Sequence, residues 1–239
     1  MLPKRALVLL CFAPLVLAAC EDFGEKTPSR NFDELIPRFM GAAAKATPED
    51  AASNLFNVTS PDERRDAMAY LETKPYGHQP PYMRAYEMLT TDPFPLVRAQ
   101  AMRALGTSYQ ESAVPYLVKG LNDRETVVRR DASVGLSNTF AAEAIAPLTE
   151  HVRADVDDQV RINCARALAH ANTPDAIRAL IDAMDDKDAG VVYCARQSLV
   201  TVTQQDYGYD TRAWLSWYRE TYTSAPGTGP ATAPATAPR

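Results

Sequence analysis

Four stretches decide the fold: DPFPLVRAQAMRAL (residues 92–105), DRETVVRRDASVGL (123–136), DVDDQVRINCARAL (155–168) and DKDAGVVYCARQSL (186–199). Stacked, they place Val97, Val128, Val160 and Val191 in one column and Leu105, Leu136, Leu168 and Leu199 in another, both stepping by 31, 32 and 31 residues. The downstream halves repeat too. Leu117, Leu148 and Leu180 follow their column leucines at a constant distance, as do Leu121, Val152 and Met184. A fixed period of this size marks a solenoid, in which each unit buries its apolar face only against its neighbours.

Within a unit the spacing is helical. Val97, Ala101, Met102 and Leu105 lie on one side of a first helix, and Val114, Leu117, Val118 and Leu121 on one side of a second. Gly106, Asn138 and Asn172 fall between the two, and their tolerance of positive φ predicts a tight turn there. Upstream, the segment from Glu63 to Leu71 aligns with Val97 to Leu105. It is followed by Tyr82, Ala85, Tyr86 and Leu89 at helical spacing after a long connection from Lys74 to Pro81, which gives a degenerate first repeat. The expected fold is all-α, an α-α superhelical solenoid of four to five helix pairs with helical caps at both ends.

The pattern of Asp, four residues, Val-Arg, Ala and Ala-Leu, then a turn and a helix beginning Ala-Val or Ala-Ile, resembles HEAT repeats, specifically the short variety named after phycobilisome lyases. The resemblance spans roughly Pro61 to Val200. It implies tandem antiparallel helix pairs and a protein-binding surface. It also implies that Arg64, Arg98, Arg129 and Arg161, which form a ladder, tie neighbouring units together instead of binding an anion. The aspartates Asp92, Asp123, Asp155 and Asp186 form a second ladder. Each stands at the start of a first helix, where a carboxylate caps free amides, so N-capping is expected in preference to a metal groove.

The ends of the chain read differently. Residues 1–19 have the layout of an export signal, with Lys4 and Arg5, an apolar run from Ala6 to Val16, and small residues. Leu17-Ala18-Ala19-Cys20 resembles the lipobox of bacterial lipoproteins, which implies lipidation of Cys20 and a polar tether over 20–30. Residues 31–59 are read as capping helices. Phe32, Leu35, Ile36, Phe39 and Met40 share one side of the first; the second is capped by Thr47, with Pro48 at its first position and Ala51, Leu55 and Phe56 as its apolar side. The repeats occupy 60–202. Over 203–222 a helix capped by Asp210 carries Trp214, Trp217 and Tyr218 and is expected to seal the far end; its Tyr-Gly-Tyr-Asp lead-in resembles the endings of other bacterial HEAT-repeat proteins. Residues 223–239 form a Pro/Ala/Thr-rich tail, expected to be extended and without a core.

Charge and chemistry narrow the function. The net charge is −5, and without Lys4 and Arg5 the chain carries 23 basic against 30 acidic residues, or −7, which argues against a nucleic-acid groove. His78, His151 and His170 are isolated from one another in sequence, so no metal and no cofactor is expected. Cys164 and Cys194 lie on adjacent first helices, about 8–10 Å apart at the axes, too far for a bridge and so expected as free thiols. The expectation is a non-catalytic scaffold, exported and tethered to a bacterial membrane by lipid, that binds a protein partner. Its candidate face is Tyr116, Lys119, Glu150, Arg178 and Asp182. Three outward rows on the second helices are expected: Tyr116, Pro147 and Ala179; Pro115, Ala146 and Arg178; and Lys119, Glu150 and Asp182. A structural component of the cell envelope is the alternative. A bilin-lyase-like enzyme is a third reading, set aside because no nucleophile, base and orienting residue converge.

Overall fold

The computed structural model describes residues 47–139 and 141–223, and all of these that enter regular structure are helical. The helices are α1 (Pro48–Asn54), α2 (Pro61–Glu72), α3 (Pro80–Leu89), α4 (Pro95–Gly106), α5 (Val114–Leu121), α6 (Thr126–Asn138), α7 (Ile145–Ala154), α8 (Asp158–Ala167), α9 (Pro174–Ala183), α10 (Ala189–Thr203) and α11 (Thr211–Tyr218). The first helices α2, α4, α6, α8 and α10 pack side by side in one layer. The second helices α5, α7 and α9 make the other, and each pair is closed by a short turn. The signal segment, Cys20, the tether, the helix expected over 31–46 and the tail beyond Thr223 lie outside the described residues. Among the described residues no helix is long and apolar enough to cross a membrane.

The repeat columns are the core. Every column valine and leucine from Val97 to Leu199 is buried, as are Leu117, Leu148, Leu180, Leu121, Val152 and Met184. Burying one such side chain contributes roughly 1.5–3 kcal/mol, and because the columns are continuous the core runs the length of the stack. Cys164 stands in an alanine slot and is fully buried. Cys194 is half-buried beside Ala195, which takes the buried slot in its own repeat, and both thiols are free.

The aspartate ladder does not cap the helices. In each unit the N-cap is two residues further on, at Phe94, Glu125, Asp157 and Asp188. The ladder carboxylate instead accepts the amide of that N-cap residue, at 2.8–2.9 Å, and turns its second oxygen toward the preceding repeat. The arginine ladder meets it there. Arg64, Arg98, Arg129 and Arg161 fork onto Asp92, Asp123, Asp155 and Asp186, with Nε to Oδ2 at 2.9, 2.8, 2.9 and 2.7 Å. Each guanidinium also donates to a backbone carbonyl of its own loop, at Asn57, Asp92, Asp123 and Asp155. One side chain therefore fixes a loop and docks the next repeat. Burial alone would raise the Asp123, Asp155 and Asp186 carboxyls, but the arginine forks and backbone amides hold all three below the ordinary carboxylate value.

Two further expectations are corrected. Gly106, Asn138 and Asn172 do not adopt positive φ; among the described non-glycine residues Tyr109 (φ 55°) and Gln204 (φ 60°) do. Gly106 is needed for close approach, since a Cβ there would stand 2.5 Å from the Gly135 Cα, where α4 crosses α6. Phe56 lies past the end of α1 at Asn54 and is 49% exposed; Ala51 in the helix and Leu55 at its C-cap are the buried residues. The caps at Thr47, where side chain and backbone bond reciprocally with Asp50, and at Asp210 form as expected, and Ser60 caps α2 in the same way by accepting the Glu63 amide.

At the far end α11 takes the place of a fifth second helix and packs on α9. Trp214 is fully buried, donates from Nε1 to the Gly208 carbonyl at 3.1 Å and meets the Tyr207 ring edge-on at 5.0 Å.

Candidate interaction surface

The second helices start where proline or an apolar pair meets a short 3-10 turn, and their buried stripe faces the first-helix layer. Ala113, at the N-cap of α5, and Val114 are fully buried at this start, as are Ala176 and Ile177 in α9. The opposite side faces outward at two positions per helix. Pro115 and Ala146 are exposed and Arg178 half-exposed in one row; Lys119 and Glu150 are exposed and Asp182 half-exposed in the other.

The third expected row turns inward. Ala179 is fully buried, and Tyr116 and Pro147 are half-buried. One residue along a helix is about 100° around it, which carries this row into the groove between neighbouring second helices. The Tyr116 hydroxyl donates to Glu87 Oε2 at 3.2 Å across that groove, and the Glu87 carboxylate holds the phenol above its ordinary value. Arg178 Nε bonds Asp182 Oδ1 at 2.8 Å, and Arg153 of α7 reaches Asp182 Oδ2 at 3.3 Å. Of the five candidates, Lys119 and Glu150 are thus open to a partner. Tyr116, Arg178 and Asp182 are engaged within the stack.

Two further residues, Arg84 and Met88 on α3, face outward in the same rows. Of the face expected for α3, Ala85, Tyr86 and Leu89 are buried but Tyr82 is only half-buried; Met83 takes its place, and Met83, Tyr86, Leu89 and, just beyond the helix, Thr90 match Val114, Leu117, Gly120 and Leu121 at a shift of 31. Counting back 31 therefore places Arg84 in the row of Pro115 and Met88, 62% exposed, in the row of Lys119. The constant period was the available signal. Tyrosine at position 82 obscured it by mimicking a core residue.

On this surface the exposed Lys119 and Glu150 bring opposite charges into one row with the exposed Met88. Among the described residues no group of three His, Cys, Asp or Glu side chains could hold a metal ion. The Cys164 thiol is pushed up by burial, and by the nearby Asp155 carboxylate, so it stays protonated.

Comparison with known proteins agrees with this architecture. No curated protein matches the sequence significantly. Among solved structures, the complex of CpcE and CpcF of phycocyanin lyase from Nostoc sp. PCC7120 superposes with a TM-score of 0.60 at 22% identity, over 77% of this chain and 71% of that one. Two engineered proteins superpose at 0.54 (18% identity, 74% of this chain, 87% of that one) and 0.53 (20% identity, 72% and 86%). At these identities the likeness is one of fold. The sequence model for HEAT repeats matches residues 84–162 and 145–209, together more than half of the 239 residues. The chain belongs to the HEAT-repeat family.

Proposed function

We propose that this protein is a lipid-tethered, non-catalytic scaffold that holds a protein partner along the side lined by α3, α5, α7 and α9. The observation that carries the reading is the alignment of the exposed Met88, Lys119 and Glu150 at equivalent positions of successive helices, which offers a rigid row to an extended partner. Residues of both signs along it favour recognition by matched charge pairs, which sets register and orientation. HEAT repeats commonly serve protein binding, and the buried, protonated Cys164 offers no nucleophile.

The tether rests on the sequence Leu17-Ala18-Ala19-Cys20 and the apolar run before it. Acyl chains on Cys20 would each contribute about 0.8 kcal/mol per buried methylene, so two or more give stable attachment without a spanning helix. On this reading the repeats face the exported side of the membrane.

A crosslinking pull-down from envelope extracts tests the scaffold, using the wild type beside Lys119→Glu and Glu150→Lys variants. Both positions are exposed, so the variants are expected to fold and to lose the partner. Capture of the same partner by all three proteins places its contacts elsewhere. Capture of nothing above background favours a structural envelope role. Replacing Cys20 with serine is expected to abolish incorporation of a fatty-acid label and release the protein from membranes; continued labelling would overturn the anchor.

A further inference from the structure

The aromatic seal has an outer side that the stacking of repeats does not use. Tyr207, Trp217, Tyr222 and Tyr218 form a strip of neighbouring rings, with centroids 6.5, 5.9 and 5.2 Å apart in that order. Trp214, beneath them, is fully buried, whereas these four remain partly or largely exposed to solvent. The chain leaves this strip at Thr223, directly after Tyr222, and sixteen residues follow. They are Ser, Ala, Pro, Gly and Thr, ending in Arg239.

Such a composition favours the polyproline II conformation, whose three residues per turn define three sides. Over residues 230–238 one side carries Pro230, Ala233 and Thr236, and another Thr232, Ala235 and Pro238. The third carries Ala231, Pro234 and Ala237 and is wholly apolar. At about 3.1 Å per residue that side runs roughly 19 Å from Ala231 to Ala237, long enough to pass along three centroid steps of 5.2–6.5 Å. Aromatic-lined grooves take polyproline II segments because the preformed helix loses little entropy on binding. Gly227 and Gly229 lie in the seven residues before it and give the backbone the freedom to reverse.

We infer that residues 231–237 of this chain dock on its own Tyr207–Trp217–Tyr222–Tyr218 strip, laying Ala231, Pro234 and Ala237 across the rings. The short connection raises the local concentration to the millimolar range, so a contact too weak to hold a free peptide suffices in cis. The docked segment covers the end of the stack and withdraws the aromatic surface from other proline-rich chains.

Acrylamide quenching of the full-length protein tests this, because Trp214 is buried and Trp217 supplies the accessible signal of the two tryptophans. Pro234→Gly and the double change Ala231→Asp, Ala237→Asp are each expected to raise the quenching constant roughly twofold by releasing the segment, while Thr232→Ala, on another side, leaves it unchanged. Equal quenching in the wild type and both variants overturns the proposal. A free peptide with the sequence of residues 224–239 provides the second arm. Protection of Trp217 in the variants but not in the wild type supports docking in cis; equal protection of the wild type shows the strip vacant in the full chain, assigning it to another protein's proline-rich segment and overturning the proposal.

Discussion

Arg129 forks onto Asp155 of the following repeat, Nε to Oδ2 at 2.9 Å and Nη2 to Oδ1 at 3.1 Å, with both side chains almost wholly buried. The same carboxylate accepts the Asp157 amide and lies 3.0 Å from His151 Nδ1. Removing one partner strands a buried charge, which costs about 3–5 kcal/mol, whereas replacing both with apolar residues of similar volume is often near neutral. Arg129→Ala is therefore expected to destabilise the protein by about 3 kcal/mol, and Arg129→Met with Asp155→Leu by much less. Urea unfolding of the wild type, Arg129→Met, Asp155→Leu and the double variant closes the cycle that measures the coupling, with Arg129→Ala beside it. Additive losses would show that the pair is not coupled.

Acid should open these clamps. Asp123, Asp155 and Asp186 have folded-state pKa values below the ordinary carboxylate value, so the unfolded chain takes up protons first. Their contribution is complete above about pH 4 and is lost as pH falls through the folded values. Glu72 and Asp131 act in the opposite sense, because burial raises both, and their protonation relieves a buried charge. Stability is thus expected to rise slightly as pH falls toward the ordinary carboxylate range and to drop below it. Thermal melts between pH 3 and 7 read this. A monotonic rise down to pH 3 would exclude the clamps as the dominant acid-sensitive groups.

The columns of Val97 and Leu105 made the stack legible because a solenoid repeats one burial environment at one spacing. The role of the aspartate ladder was not legible. An N-cap and a residue two positions before it differ by one turn of loop, and Asp92 suits either by composition; only the approach of Arg64 selects between them. The binding rows were partly legible for a related reason. Lys119 and Glu150 face outward as helical spacing says, but Ala179 is covered by a neighbouring helix, whose distance no single helix encodes. The lead-in of the first repeat misled at Tyr82, where an aromatic at the edge of the core counts as core in any periodicity.

Close packing of first helices supplies a third prediction. A Cβ on Gly106 would meet the Gly135 backbone at 2.5 Å, and backbone cannot swing aside. On Gly120 the added atom would meet the end of the Met102 side chain, which can change rotamer. Gly106→Ala is expected to cost about 2–3 kcal/mol despite the better helix propensity of alanine, and Gly120→Ala under about 1 kcal/mol. Denaturant midpoints compare them, and an equal effect would mean that α4 and α6 slide apart freely.

The end of the stack should fail separately from its middle. Among the described residues Trp214 is the largest fully buried side chain, and it is held at the end of the stack by the Tyr207 and Trp217 rings and the Gly208 carbonyl. Truncating a buried tryptophan costs about 3–5 kcal/mol, but in a solenoid the loss falls on the units that share the interface. Trp214→Ala is expected to expose amides of α10 and α11 to hydrogen exchange by two or more decades, while α4 to α6 keep most of their protection. Arg161, forked onto Asp186, is the polar tie that limits how far the fraying spreads. Adding Arg161→Ala to Trp214→Ala should therefore extend the loss of protection into α8 and α9. Uniform loss across all helices in the single variant would show instead that the stack unfolds as one cooperative unit, with Trp214 part of its common core.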